Sequence, residues 1–180
     1  MDILTRSLSQ EKDSMEAIDW EAVYHQELPR IYNFFRYRVG DGHQAEDLTA
    51  TTFEKAWRSR WRYKKNLAAF STWLFTIARN VATDHFRHVH QEYSIEDIHR
   101  QADLVLVEET IQRKQEFMRL LKLLVKLPGR EQELIALKFG AELNNREIAL
   151  QTHLSESNVG TLLNRIIKKL RSEWEVENER

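Results

Sequence analysis

Five bases stand within the eight residues Arg58-Ser-Arg-Trp-Arg-Tyr-Lys-Lys65, and two aromatic rings, Trp61 and Tyr63, sit among them. Cations that track phosphates and aromatic faces that stack on bases are the two ingredients of single-stranded nucleic-acid binding. A solvated charged helix end with Trp61 packed inward is the plainer reading of the same residues. A second basic cluster, Arg165, Lys168, Lys169 and Arg171, favours the nucleic-acid reading. Acidic segments frame both clusters. Six acids against Arg100 alone lie between Gln91 and Glu109, and six against Arg6 and Lys12 lie in the first 21 residues. The net charge of −1 averages over this pattern, so it does not argue against a polyanionic partner.

From Asn144 to about Arg171 the residue types fit a helix-turn-helix, which needs two short helices, a tight turn and small or apolar residues at their crossing. Asn144 with Glu147 three residues on reads as a capping box. Ile148 and Ala149 supply one side of the crossing, Leu154 fills the turn, and Val159 and Leu162 hold the second helix. The turn carries His153, a residue type that tolerates positive φ. Glu156, Ser157, Thr161, Asn164, Arg165 and Lys168 then fall at the outward positions, where polar and basic groups can reach base edges and phosphates. A three-helix bundle with a solvated basic face is the other reading of this stretch.

Other chemistry finds little support. The 180 residues contain no cysteine, which removes disulfides, thiolate metal sites and a cysteine nucleophile. His85, His88 and His90 do not share one helical face, and Asp84 and Glu92 complete no standard ligand set. His85 falls on an apolar stripe and reads as a core histidine. There is no glycine-rich phosphate loop or nucleophile motif, so neither an enzyme nor a cofactor is expected, and no small-molecule substrate. The first residues lack the pattern of a signal peptide, and no apolar run approaches the ~20 residues that span a bilayer. A cytoplasmic protein without direct membrane insertion is the expectation.

Helical periodicity must position these groups. Tyr24, Leu28, Ile31 and Phe35 form one stripe, with Pro29 expected in a first turn or at a kink, and Gly40-Asp-Gly42 stops the helix. Ala45, Leu48, Phe53, Ala56 and Trp57 form a second stripe, entered through Asp41 or the following loop. Leu74, Ile77, Ala78, Val81, Ala82 and His85 form a third, with Ser71 or Thr72 expected as N-cap. Phe117, Leu120, Leu121, Leu124 and Leu127 begin another set, stopped by Pro128-Gly129, and Gly140 is placed to cap a helix over Glu131 to Phe139. The expected fold is all-α: an N-terminal tail (1–17), a helical domain (18–90), a flexible acidic linker (91–113) and a helix-turn-helix domain (114–176).

The run Ala45-Glu-Asp-Leu-Thr-Ala-Thr-Thr-Phe-Glu-Lys-Ala-Trp57 and Phe70-Ser-Thr-Trp-Leu-Phe-Thr-Ile-Ala-Arg-Asn80, with Asp84 and Arg87, resembles region two of the extracytoplasmic-function (ECF, group IV) sigma factors of bacterial RNA polymerase. Leu127-Pro-Gly-Arg-Glu131 and the helix-turn-helix to Leu170 are similar to that family's region four. The likeness spans about residues 18–174, with two separate motifs in the family's order.

The resemblance implies a set of roles. Glu46, Asp47 and Glu54 would meet core RNA polymerase. Arg62, Tyr63, Lys64, Asn66, Arg79, Asn80 and Arg87 would hold the opened strand of the −10 promoter element. Glu156, Ser157, Asn158, Thr161, Arg165 and Lys168 would meet the −35 element as duplex. It also implies an anti-sigma factor as an inhibitory partner. The chain departs from the family pattern at Ala50-Thr51, where Gln-Glu is common, and at Val159-Gly-Thr-Leu162, where Val-Lys-Ser-Arg is common; Arg165, Lys168 and Lys169 are left as phosphate anchors. A helix-turn-helix regulator that is not a polymerase subunit, or a polymerase-interaction protein, are the alternatives.

Overall fold

The computed structural model describes residues 19–92 and 111–178. The expected tail and most of the acidic linker lie outside these residues. Seven α-helices occur among them: α1 (Trp20–Val39), α2 (Gly42–Arg58), α3 (Phe70–Glu92), α4 (Ile111–Leu124), α5 (Gly129–Ile135), α6 (Asn145–Thr152) and α7 (Glu156–Asn178). A 3-10 turn, Arg60–Arg62, follows α2, and a π turn, Ala136–Gly140, extends α5; the described residues contain no strand.

Local chemistry sets the helix ends. Asp19 accepts the Ala22 N–H at 3.0 Å, and Asp41 accepts that of Gln44 at 2.8 Å, so each satisfies an orphan donor of a first turn. Between them Gly40 takes φ 74°, the left-handed conformation that ends α1, and returns its N–H to the Arg36 carbonyl. Pro29 neither starts nor divides α1; the helix runs through it. α3 begins at Phe70, ahead of both Ser71 and Thr72, and its first turn closes on the Ala69 carbonyl instead.

α1 is the hub. Its neighbours Phe34 and Phe35 are both fully buried, as is Ile31, so the helix is covered on more than the single stripe that Tyr24 and Leu28 predict. Burial of each such side chain contributes about 1.5–3 kcal/mol. α2 and α3 pack on α1 from the N-terminal half, and the α5–π segment packs on it from the C-terminal half. The buried side chains form one continuous core, from Leu74, Phe75 and Ala78 through α1 to Leu134, Leu137, Ile148 and Val159.

At Gly140 the two halves meet backbone against backbone. A Cβ there would stand 2.8 Å from the Asn33 carbonyl oxygen and 2.9 Å from its carbon, both backbone atoms of α1. Gly140 does not cap α5 with a positive φ, contrary to expectation; the helix widens into the π turn, and the missing side chain lets two backbones touch.

Gly140→Ala is therefore expected to lower stability by about 1–3 kcal/mol, since neither backbone can yield without shifting an element. Gly129, whose added Cβ would meet nothing within 4 Å, is the control; Gly129→Ala should be neutral or stabilise by about 0.4–1 kcal/mol. Urea unfolding checks the pair, and equal midpoints would contradict the tight approach. A pH effect should accompany them. Burial first, then the charges of Arg38 and His88, hold the His85 imidazole below its ordinary value of 6.5. Above that value both folded and unfolded chains carry it neutral; as pH falls below it, the unfolded chain gains the proton first and stability drops. His85→Gln should flatten the loss measured between pH 7.5 and roughly 5.5.

Candidate nucleic-acid interface

The basic stretch leaves α2 at Arg58 and turns through Arg60–Arg62 before reaching α3. Arg62, Lys64, Lys65 and Asn66 are exposed, so the loop offers cations to solvent. The two aromatics part company. Trp61 is 62% exposed. Tyr63 is half-buried: its ring lies 5.2 Å from Phe70 and 5.5 Å from Trp73, and its hydroxyl donates to the Ala68 carbonyl at 3.2 Å. Tyr63 thus braces the loop against the start of α3, and Trp61 presents the open face. Sequence reasoning missed Trp57, placed on the buried stripe of α2 but half exposed, with the Arg60 guanidinium 4.3 Å over its ring and Trp20 edge-on at 5.3 Å. This cation–π pair extends the basic aromatic surface by one more ring.

Three candidates on α3 lie in different settings. Asn80 is exposed, and Arg87 is exposed with its guanidinium 3.0 Å from Asp84. Arg79 instead points into the other half. Its Nε donates to Glu133 Oε1 at 2.8 Å, and its Nη1 donates to the Gln151 carbonyl. The Gln151 side chain returns the connection, donating from Nε2 to the Thr72 carbonyl of α3 at 2.6 Å. In this arrangement Arg79 is half-buried and not open to a strand, whereas Arg62, Lys64, Asn66, Asn80 and Arg87 are.

The polymerase candidates share the outer face of α2. Glu46, Asp47 and Glu54 are all exposed; Glu54 pairs with Arg58 at 2.7 Å and Glu46 lies 3.8 Å from His43.

In the C-terminal half the local signals give the expected geometry. Asn144 Oδ1 accepts the Glu147 N–H at 2.9 Å while Glu147 Oε2 accepts the Asn144 N–H at 2.8 Å, a reciprocal capping box. His153 takes φ 57° in the turn, and Ser155 Oγ accepts the Asn158 N–H at 3.2 Å. Ile148, Val159, Leu163 and Ile166 are buried at the crossing. Glu156, Ser157, Asn158, Thr161, Arg165 and Lys168 all face solvent along α7. Arg165 lies 3.3 Å from Glu131, and Lys169 3.9 Å from the same carboxylate, so Lys168 is the more available cation. An added Cβ at Gly160 would meet the Asn145 side chain at 3.5 Å, an ordinary contact, so packing does not require glycine there.

A chain-wide comparison agrees with this division. Residues 23–91 match the family described as Sigma-70 region 2, and residues 117–170 match Sigma-70, region 4. The ECF RNA polymerase sigma factor SigM of Bacillus subtilis is 27% identical over 84% of this chain and 93% of its own length. The ECF RNA polymerase sigma factor BldN of Streptomyces coelicolor is 36% identical over 87 residues, of which the matched part spans 48% of this chain and about a third (31%) of BldN. The fold resembles that of the sigma factor RpoE of Bartonella quintana, solved with the anti-sigma factor NepR, with a TM-score of 0.71, 21% identity and coverage of 88% of this chain and 98% of that one.

Separating the roles of the two loop aromatics is a direct check on the site. Trp61→Ala should leave stability within about 0.5 kcal/mol and weaken single-stranded DNA binding by about 1–3 kcal/mol. Tyr63→Ala should instead lower stability by about 1–3 kcal/mol, because it removes two ring contacts and a hydrogen bond. Thermal unfolding and anisotropy titration with a fluorescent oligonucleotide read both quantities, and the reverse pattern would contradict the geometry.

Proposed function

The chain belongs to the sigma-70 family, in its ECF group, and we propose which of its surfaces carry each step of initiation. As a sigma factor it directs RNA polymerase to promoters. Its family consists of regulatory DNA-binding subunits rather than enzymes, so no catalytic group is sought in the site. The observation that carries the reading is the order of two matched modules, region 2 with its exposed basic aromatic loop and region 4 with its capped helix-turn-helix.

Glu46, Asp47 and Glu54 supply an acidic, solvent-facing helix for complementary docking on core polymerase. The loop Arg62 to Asn66, widened by Trp61, and the exposed side of α3 at Asn80 and Arg87 hold the opened −10 strand. α7 enters the major groove of the −35 element, where Glu156, Ser157, Asn158 and Thr161 are nearest the bases and Arg165 and Lys168 anchor phosphates. Place of work is set by the partner: the cytoplasm, where polymerase and chromosome are. No helix among the described residues is long and apolar enough to cross a membrane. Relatives of this fold are known bound to anti-sigma factors, NepR among them, and a protein of that kind is the inhibitory partner proposed here.

Purified core polymerase and a promoter library test the reading, with addition of this chain expected to yield transcripts from a defined subset. No transcripts from any promoter would overturn it. Asp47→Arg should cut binding to core polymerase at least severalfold without loss of fold. Lys168→Ala should lower the salt slope of duplex binding by about one, with a smaller effect for Arg165→Ala because Glu131 already holds that guanidinium. An unchanged slope for Lys168→Ala would place that side chain away from DNA.

A further inference from the structure

Polar groups cross between the two halves at several places. Arg30 Nε donates to the Ala141 carbonyl at 2.9 Å, Arg38 Nη1 to the Gly129 carbonyl at 2.6 Å, and Gln132 Nε2 to the Arg38 carbonyl at 2.8 Å. Arg79 meets Glu133 and Gln151, and Gln151 meets Thr72. This last cluster joins α3, the helix assigned to the opened strand, to α6, the first helix of the helix-turn-helix.

We propose that the Arg79–Glu133–Gln151 cluster is an intramolecular latch, in which Glu133 and the Gln151 carbonyl occupy a cation that nucleic acid would otherwise take. The inference rests on the sigma-factor reading and adds to it a state in which the chain restrains itself before any partner arrives. Three observations support it. First, Glu133 presents a carboxylate and Gln151 a carbonyl oxygen to Arg79, the acceptor chemistry that a phosphate would present. Second, geometry sets the two working positions apart. Elements about 25 base pairs apart lie roughly 85 Å from each other at 3.4 Å per pair, whereas a compact chain of this length has a radius of gyration of about 16 Å. Simultaneous engagement of both elements therefore requires α6 to leave α3. Third, the seam is built to open. Arg38 is buried where the halves meet with no partner for its Nε among the described residues, and its Nη1 faces a carbonyl rather than a carboxylate. A desolvated cation without full compensation weakens the closed packing. Arg79 and Glu133 each keep about a fifth to a quarter of their side-chain surface exposed, so the pair can exchange with solvent.

The absence of cysteine makes a direct test simple. Gln44→Cys on α2 and Ser172→Cys on α7 replace exposed residues and carry a donor–acceptor dye pair for single-molecule energy transfer on the full chain. The free parent should show mainly the short-distance population. Glu133→Ala should raise the long-distance fraction about threefold, the scale of a partly exposed ion pair, and raise transcription at limiting concentration by a similar factor. Glu133→Gln, which keeps an acceptor without the charge, should fall between. Circular dichroism confirms that each variant is folded, and Gln151→Ala, which keeps the backbone carbonyl that Arg79 meets but removes the side-chain bond to the Thr72 carbonyl, gives a second, independent loosening of the α3–α6 contact. If the parent transcribes with core polymerase but both the Glu133 and Gln151 variants leave distances and output unchanged, the latch is overturned. If the variants open the chain while no form transcribes, the latch stands and the sigma-factor reading fails.

Discussion

The close approach of Gly140 to the backbone of α1 is the constraint on which the arrangement depends. With no side chain at that point, the π turn lies directly against Asn33 and Phe34, and the cores of two helical modules merge into one. A methyl group would need space that two backbones already occupy. The contact fixes placement: α5 and α6 lie against α1 and α3, which brings Glu133 and Gln151 to Arg79. The same placement leaves the loop from Arg58 to Asn66 and the outer face of α7 open to solvent. The chain thus covers one candidate nucleic-acid contact while exposing most of the others.

The seam between the halves mixes strong and weak elements. Apolar burial around Phe34, Phe35 and Leu137 holds it together, while two arginines on α1 resist it. Arg36 is nearly inaccessible, and burial lowers its affinity for the proton; its Nε has no partner among the described residues, although its Nη1 donates to the Gly40 carbonyl at 2.5 Å. Arg38 is held in a comparable way, with the Phe86 ring 4.6 Å from its guanidinium. Interfaces of this mixed character are typical of units that separate during function. The packing is firm enough to form one core and polar enough to come apart when a better surface is offered.

Much of the fold was legible because its signals are local. The capping box at Asn144, the left-handed turn at His153 and the stop at Gly40 are each set by a residue and its near neighbours. The all-α architecture was readable from periodicity, and the family from the resemblance of two ordered motif runs. The features that escaped depend on contacts distant in sequence. Gly140 looked like a helix cap, because nothing near it announces that the α1 backbone fills the space a side chain would need. Arg79 and Gln151 are 72 residues apart, and neither pattern shows that the other satisfies it. Phe34 lay off the single stripe assigned to α1, because a helix packed from two sides has more than one apolar face. Tyr63 and Trp61 are indistinguishable by composition, and only the position of Phe70 and Trp73 decides which ring is braced and which is open.

Small-angle X-ray scattering of the free chain tests the central claim, that the two modules share one core in solution, most directly. The account predicts a pair-distance distribution with a single maximum, dominated by a compact body whose radius of gyration is near the ~16 Å expected for this length, apart from a weak tail at long distance. Two resolved maxima, one for distances within a module and one for distances between separated modules, would contradict it.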